Sequence, residues 1–258
     1  MLILLSPAKS LDFTSPLPTR KRSQPRLVED AERLVEVMRH KRPDELAKLM
    51  GISDELAQLN WERFQEWEPA FTRQHARPAL LAFNGDVYRG LQARERFGER
   101  DYTFAQKHLR ILSGLHGVLR PLDLIHPYRL EMGASVATER GKNVYEFWGD
   151  RITGILNDDL GHVNPKVVVN LASKEYFTAV DPGAIDGTVI SPVFKDLSRG
   201  EYRTVSFYAK AARGEMAAWL ILNRIKTQKG ILQFAERGYR HAPGLSTRAE
   251  PVFIRDEV

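Results

Sequence analysis

The stretch 166–172, KVVVNLA, is apolar on both faces and rich in β-branched residues, so it reads as a strand buried inside a sheet. A second run of this kind opens the chain at 1–6, MLILLS, and is closed by Pro7. Around these two strands the pattern is largely helical. Residues 26–40 place Leu27, Ala31, Leu34, Val35 and Met38 at the spacing of an amphipathic helix, and 43–50 and 53–67 predict two shorter helices. Residues 79–83 read as a short apolar strand ending in Asn84-Gly85-Asp86, and helices are expected over 101–109 and 143–160. Residues 188–194 and 202–207 read as strands of a hairpin turning at 196–200, followed by a strong helix over 209–225 and an edge strand over 252–255. The strands do not alternate regularly with helices, so a doubly wound sheet is not implied. No repeat, low-complexity tract or long linker interrupts the chain. The expectation is one mixed α/β domain of the α+β kind over 1–258, with a mixed central sheet surrounded by helices.

A chain of 258 residues, 43% hydrophobic and 28% charged, can bury a full core as one soluble domain. It contains no cysteine, which excludes disulfides, thiolate catalysis, cysteine-ligated iron–sulfur clusters and thiol redox sensing. No run approaches the roughly 18 apolar residues needed to span a bilayer. The apolar start has no positive residue ahead of it and no small-residue cleavage site, so it reads as a strand rather than a signal peptide. A cytoplasmic location without membrane association is expected, and the oligomeric state stays open. The net charge of +5 favours polyanionic partners such as nucleic acid, nucleotides or phosphorylated metabolites. Basic residues are locally concentrated: 202–229 holds six against the single acid Glu215, and 20–26 holds four and no acid.

The segment 110–132, RILSGLHGVLRPLDLIHPYRLEM, sets three arginines, two histidines, two carboxylates and two glycines among leucines. Its leucines ask for burial while Arg110, Arg120, Asp123, Arg129 and Glu131 ask for water, a partner or a ligand. Such conflicts often mark functional segments. The arginines are suited to clamp phosphate bidentately, or to pair with Asp123 and Glu131. The loop 113–117, SGLHG, offers amides that suit an oxyanion. His116 and His126 are either acid–base groups near neutrality or structural residues.

Further phosphate candidates lie elsewhere. Ser6 and Lys9 directly follow the first strand, where ligands collect in open α/β sheets. Asp86 follows 79–83 in the same way, as a ligand-facing carboxylate or a helix cap. Lys210 and Arg213, with Arg224, project within about 60° of one another on a helix, as a solvated face or a phosphate-tracking ridge. Gly51, Ile52 and Ser53 approximate the turn of a helix-hairpin-helix DNA binder over 43–67, with Gly51 permitting close approach and Ile52 plugging the core. Ser53 in place of a second glycine, and the acids Asp54 and Glu55, favour a plain helix–helix turn with Ser53 as N-cap. No metal or cofactor is expected. The seven histidines include no i,i+4 pair, and no P-loop, dinucleotide fingerprint or nucleophile elbow occurs.

Several motifs then combine: the LSPAK start, FNGDVYRGL at 83–91, LSGLHGVLRPLDLIHPYRLEMG at 112–133, YEFWGD at 145–150, NLASKEYF at 170–177 and SFYAKAARGEMAAWLI at 206–221. In order and end to end, they resemble the YaaA family of bacterial peroxide-stress proteins. The resemblance implies a mixed α/β fold particular to that family and a cytosolic protein that limits damage from iron-driven hydroxyl radical chemistry. It also implies double-stranded DNA binding through a basic cleft and a helix-hairpin-helix, which makes the hairpin the better reading of Gly51, Ile52 and Ser53. It carries no settled catalytic residues.

The leading expectation is a non-enzymatic protein that binds double-stranded DNA, or another phosphate-bearing ligand, with little sequence specificity. Lys9, Arg110, Arg120, Arg129, Lys210 and Arg213 are expected to line the cleft. The rival is an enzyme acting on a nucleotide or similar phosphorylated small molecule, with Asp86, His116, Asp123 and Glu131 as acid–base candidates.

Overall fold

The two doubly apolar runs are neighbours in one sheet, where each strand hides both faces. The computed structural model describes residues 1–256. In chain order the first half contains β1 (Leu2–Leu5), α1 (Val28–Arg39), α2 (Pro43–Met50), α3 (Asp54–Glu66), β2 (Arg77–Pro78), α4 (Ala79–Ala82), α5 (Asp86–Leu91), α6 (Ala93–Arg96) and α7 (Glu99–His108). Next come β3 (Leu109–Ser113), β4 (Gly117–Leu119), β5 (Leu124–Ile125), α8 (Val144–Trp148), α9 (Arg151–Gly161), β6 (Val167–Asn170) and α10 (Lys174–Phe177). The chain closes with β7 (Thr188–Ile190), β8 (Val193–Ser198), β9 (Glu201–Arg203), α11 (Ser206–Leu222), α12 (Gln228–Ile231), β10 (Arg240–His241) and β11 (Val252–Arg255). No helix among the described residues is long and apolar enough to cross a membrane.

β1 is the middle strand of a five-stranded sheet in the order β4-β3-β1-β6-β7. β3, β1, β6 and β7 run parallel, with Ile3 opposite Leu109 on one side and Val169 on the other, while β4 folds back antiparallel on β3. Ile3, Leu4, Val168 and Val169 are fully buried, each such side chain contributing about 1.5–3 kcal/mol. Taken by chain position, the four parallel strands lie in the order second, first, third, fourth. That is the strand order of a doubly wound sheet, and its switch point falls between the carboxyl ends of β1 and β6. The irregular succession of short helices concealed it in the sequence. A second sheet has the order β10-β11-β8-β9, so β11 is an interior strand rather than the expected edge. β2 and β5 form a short separate ladder.

Other local expectations change for identifiable reasons. Residues 79–83 are not a strand: α4 is a fully buried helical turn, since a five-residue apolar run fits either state. The helix expected over 143–160 breaks at Gly149, whose φ of 52° ends α8 before α9 begins. The strand expected over 188–194 divides between the two sheets, with Pro192 between β7 and β8. β8 continues to Ser198, and the hairpin turns at Arg199 and Gly200, both with positive φ. The partner strand ends at Arg203, and α11 starts at Ser206 rather than 209.

α5 and α11 cross at a distance that only glycine permits. A Cβ on Gly214 would stand 1.7 Å from the Val87 carbonyl oxygen, and one on Gly90 would stand 2.1 Å from that of Ala211. This crossing fixes Asp86 and Arg89 on α5 beside Lys210 and Arg213 on α11.

Candidate functional site

The loops leaving β1 and β6 are tied together at the switch point. The Ser6 hydroxyl accepts from the Ser173 amide at 2.8 Å and donates to the Ser173 hydroxyl at 3.2 Å. Beyond this junction lies a cleft of about 340 Å³, which the loop after β5, the start of α5 and one side of α11 complete. Its floor contains three buried phenols, Tyr88, Tyr128 and Tyr176. Tyr88 donates to the Ser6 carbonyl at 3.0 Å, and the Tyr128 and Ser113 hydroxyls share a hydrogen bond of 2.6 Å. Burial pushes all three phenols above their usual range, so they stay neutral and serve as hydrogen-bonding surface.

Seven of the residues singled out in the sequence meet here: Ser6, Lys9, Asp86, Arg129, Glu131, Lys210 and Arg213. Glu131 Oε1 holds two of the cations, with Lys9 Nζ at 3.0 Å and Arg129 Nη2 at 3.1 Å. Arg129 Nε is buried and has no hydrogen-bond partner. Lys210 and Arg213 form no ion pair with any described residue, and burial draws the Arg213 guanidinium below its usual range. Asp86 does not cap α5, whose N-cap is Gly85. It is the first residue of the helix, and its carboxylate pairs with Arg89. The cleft therefore holds cations in excess of carboxylates, some of them without internal partners.

The remaining candidates from 110–132 lie elsewhere. Arg110 is buried on β3, where its Nε donates to Asp159 Oδ2 at 2.6 Å, while Arg26 grips the same carboxylate through both terminal nitrogens at 3.0 and 2.9 Å. Arg120 wraps Asp123, which is fully buried and also accepts from the Arg120 amide and the Ser23 hydroxyl. The carboxylates that share this segment thus hold two of its arginines, Arg120 and Arg129. His116 is fully buried against Phe71, Tyr128 and His126, and neither ring nitrogen has a partner. Burial, and then the neighbouring His126, push its imidazole down to about 3. The loop 113–117 is no oxyanion cradle: the Gly114 carbonyl accepts from Trp148, the His116 amide is bound to Ser113, and the whole turn is buried.

Between α2 and α3, Gly51 takes a left-handed conformation and Ser53 accepts from the Leu56 amide at 3.4 Å, so the segment is a helix–helix turn with Ser53 as N-cap. The Ile52 amide is already bonded to the Ala47 carbonyl at 3.1 Å. Leu49 and Met50 at the end of α2 border a small depression that shares Glu131 and Glu175 with the cleft. Arg224 lies past the end of α11, paired with Asp101 and stacked on Phe104, so it is off the Lys210–Arg213 ridge.

Sequence reasoning missed Arg89, Ser173 and Glu175 of the cleft. The signal was present for Ser173 and Glu175, which follow the clearest strand in the chain as Lys9 follows β1. Arg89 lies one helical turn from Asp86.

Fold and site together define an α/β protein with a compact, cation-lined cleft at the switch point of its central sheet. Residues 1–245 match the family model described as Peroxide stress protein YaaA, and the chain belongs to that family.

Proposed function

We propose that this member of a peroxide-stress family binds double-stranded DNA through its phosphates, with little dependence on base sequence, and that this binding helps limit iron-driven oxidative damage. The observation that carries the reading is the half-buried guanidinium of Arg213, which has no anionic partner among the described residues and stands beside Lys210 in the cleft. A desolvated, unpaired cation is costly, and a phosphate oxygen recovers that cost. Arg129 lines the same cleft and adds a further guanidinium to this group of cations. The turn at Gly51, Ile52 and Ser53 is proposed only as a secondary backbone contact, because Asp54 and Glu55 repel phosphate. The setting is cytoplasmic, where DNA is reached.

The size of the cleft favours a second reading. About 340 Å³ suits one nucleotide, and Asp86, Glu131 and Glu175 line it together with the cations. An enzyme acting on a nucleotide or another phosphorylated small molecule would use these carboxylates as acid–base groups. Arg213→Ala tests the leading reading by fluorescence anisotropy on a labelled duplex. Affinity about tenfold lower with an unchanged melting temperature supports it, and unchanged affinity contradicts it. Nucleotide turnover that Asp86→Asn abolishes, with duplex affinity intact, supports the enzyme.

A further inference from the structure

The cleft continues past Asp86 and Arg89. These two residues also line an adjoining depression of about 280 Å³, walled by Phe207, Tyr208, Tyr239 and Arg255. The wall is fixed in place. The Arg255 guanidinium lies between the rings of Tyr208 and Tyr239, 4.9 and 4.6 Å from their centroids, and its Nε donates to buried Asp196 at 2.7 Å. Against this rigid wall Phe207 stands out. It is 58% exposed, more than any other large hydrophobic residue described, and its ring meets Tyr208 edge-on at 5.7 Å. It belongs to the first turn of α11, about 4.5 Å along the helix axis from Lys210 and about 9 Å from Arg213. An exposed phenyl ring beside unpaired cations supplies the two elements of single-strand recognition: a stacking platform and a phosphate receptor.

We propose that the cleft and this depression form one track for an unpaired strand of DNA, in which a nucleotide enters the cleft and the adjacent base stacks on Phe207. The proposal rests on the phosphate-binding reading above and narrows it. A duplex keeps its bases stacked inside and offers Phe207 no base face, whereas a frayed end, a gap or a displaced nucleotide does. The phosphate would lie among Arg213, Lys210 and Arg129, and Asp86 and Arg89 would flank the crossing between the two depressions.

The test compares the full-length protein and its Phe207→Ala variant on a labelled oligothymidylate and on a closed, fully paired hairpin. Phe207→Ala is expected to weaken single-strand binding about tenfold and to change binding of the paired hairpin less than twofold. Phe207→Trp retains the ring, so it is expected to bind like the wild type and to show a changed indole emission when the oligothymidylate saturates it. Equal losses on both DNAs, no loss on either, or an indole emission indifferent to bound strand overturns the track. Failure of the wild type to bind any DNA overturns the phosphate reading itself, and the track with it.

Discussion

Lys9 Nζ and Glu131 Oε1 stand 3.0 Å apart at the cleft, joining the loop after β1 to the loop after β5 across more than a hundred residues of sequence. The same Glu131 oxygen accepts from Arg129, so one carboxylate neutralises two cations that could otherwise meet a phosphate. Lys9 is 62% exposed, and such a pair contributes at most about 1 kcal/mol to stability. Its consequence is electrostatic control of the cleft.

Glu131→Gln removes that neutralisation while keeping the shape of the side chain. DNA affinity should rise about threefold to tenfold at low salt, with stability changed by less than about 1 kcal/mol. Equilibrium binding and chemical denaturation check the two parts. A fall in affinity would mean that Glu131 orients the cations for the ligand rather than competing with it.

The triad of Arg110, Asp159 and Arg26 is structural. Asp159→Asn would leave the buried guanidinium of Arg110 without its counter-charge and should cost about 3 kcal/mol of stability, with DNA affinity retained in the folded fraction. Burial alone would raise the Asp159 carboxyl, but hydrogen bonds from Arg110 and Arg26 prevail and hold it below its ordinary value near 3.8. A depressed carboxyl stabilises the fold above that ordinary value, and the contribution is lost as pH falls through the folded one. The variant should therefore lose stability less steeply below about pH 4 than the wild type, as urea titrations at several pH values would show.

His116 contributes at milder acidity. Its imidazole has an ordinary value of 6.5 when exposed and about 3 in the folded protein, so the unfolded chain binds the extra proton between those values. Stability is complete above about pH 6.5 and declines as pH falls toward 3, by an amount on the order of a few kcal/mol. His116→Leu removes the proton and two unsatisfied ring nitrogens. Thermal melts at pH 7 should be unchanged or higher, and the decline between pH 6.5 and 4 shallower. A variant several kcal/mol less stable at pH 7 would show that the ring nitrogens are satisfied by interior water.

Much of this architecture was legible in the sequence, and the exceptions have physical causes. Doubly buried strands announce themselves by apolar, β-branched continuity, so β1 and β6 were plain. The order of the sheet was not, because pairing between Ile3, Leu109 and Val169 is a long-range choice that no local pattern encodes. The segment 110–132 signalled its mixed polarity correctly, yet only Arg129 and Glu131 of its polar candidates line the cleft. Burial of Arg110 depended on Asp159, 49 residues away, and no spacing rule could pair them. Lys9 lies just beyond the carboxyl end of β1, where crevices form in open α/β sheets. Asp86 reaches the same cleft although the apolar run before it is the helix α4 and not a strand. Ser173 and Glu175 lie beyond β6 as Lys9 lies beyond β1.

The central claim is that cations without internal partners in this cleft bind DNA phosphate, and its most direct test is the salt dependence of duplex binding. Wild type and the Lys210→Ala/Arg213→Ala double variant would be titrated by anisotropy across a range of salt concentrations. Counterion release predicts a linear fall of log affinity with log salt, by about 0.9 for each phosphate neutralised, so the double variant should bind more weakly with a slope shallower by about two. Parallel lines with equal affinity would place the DNA elsewhere on the protein and contradict the account.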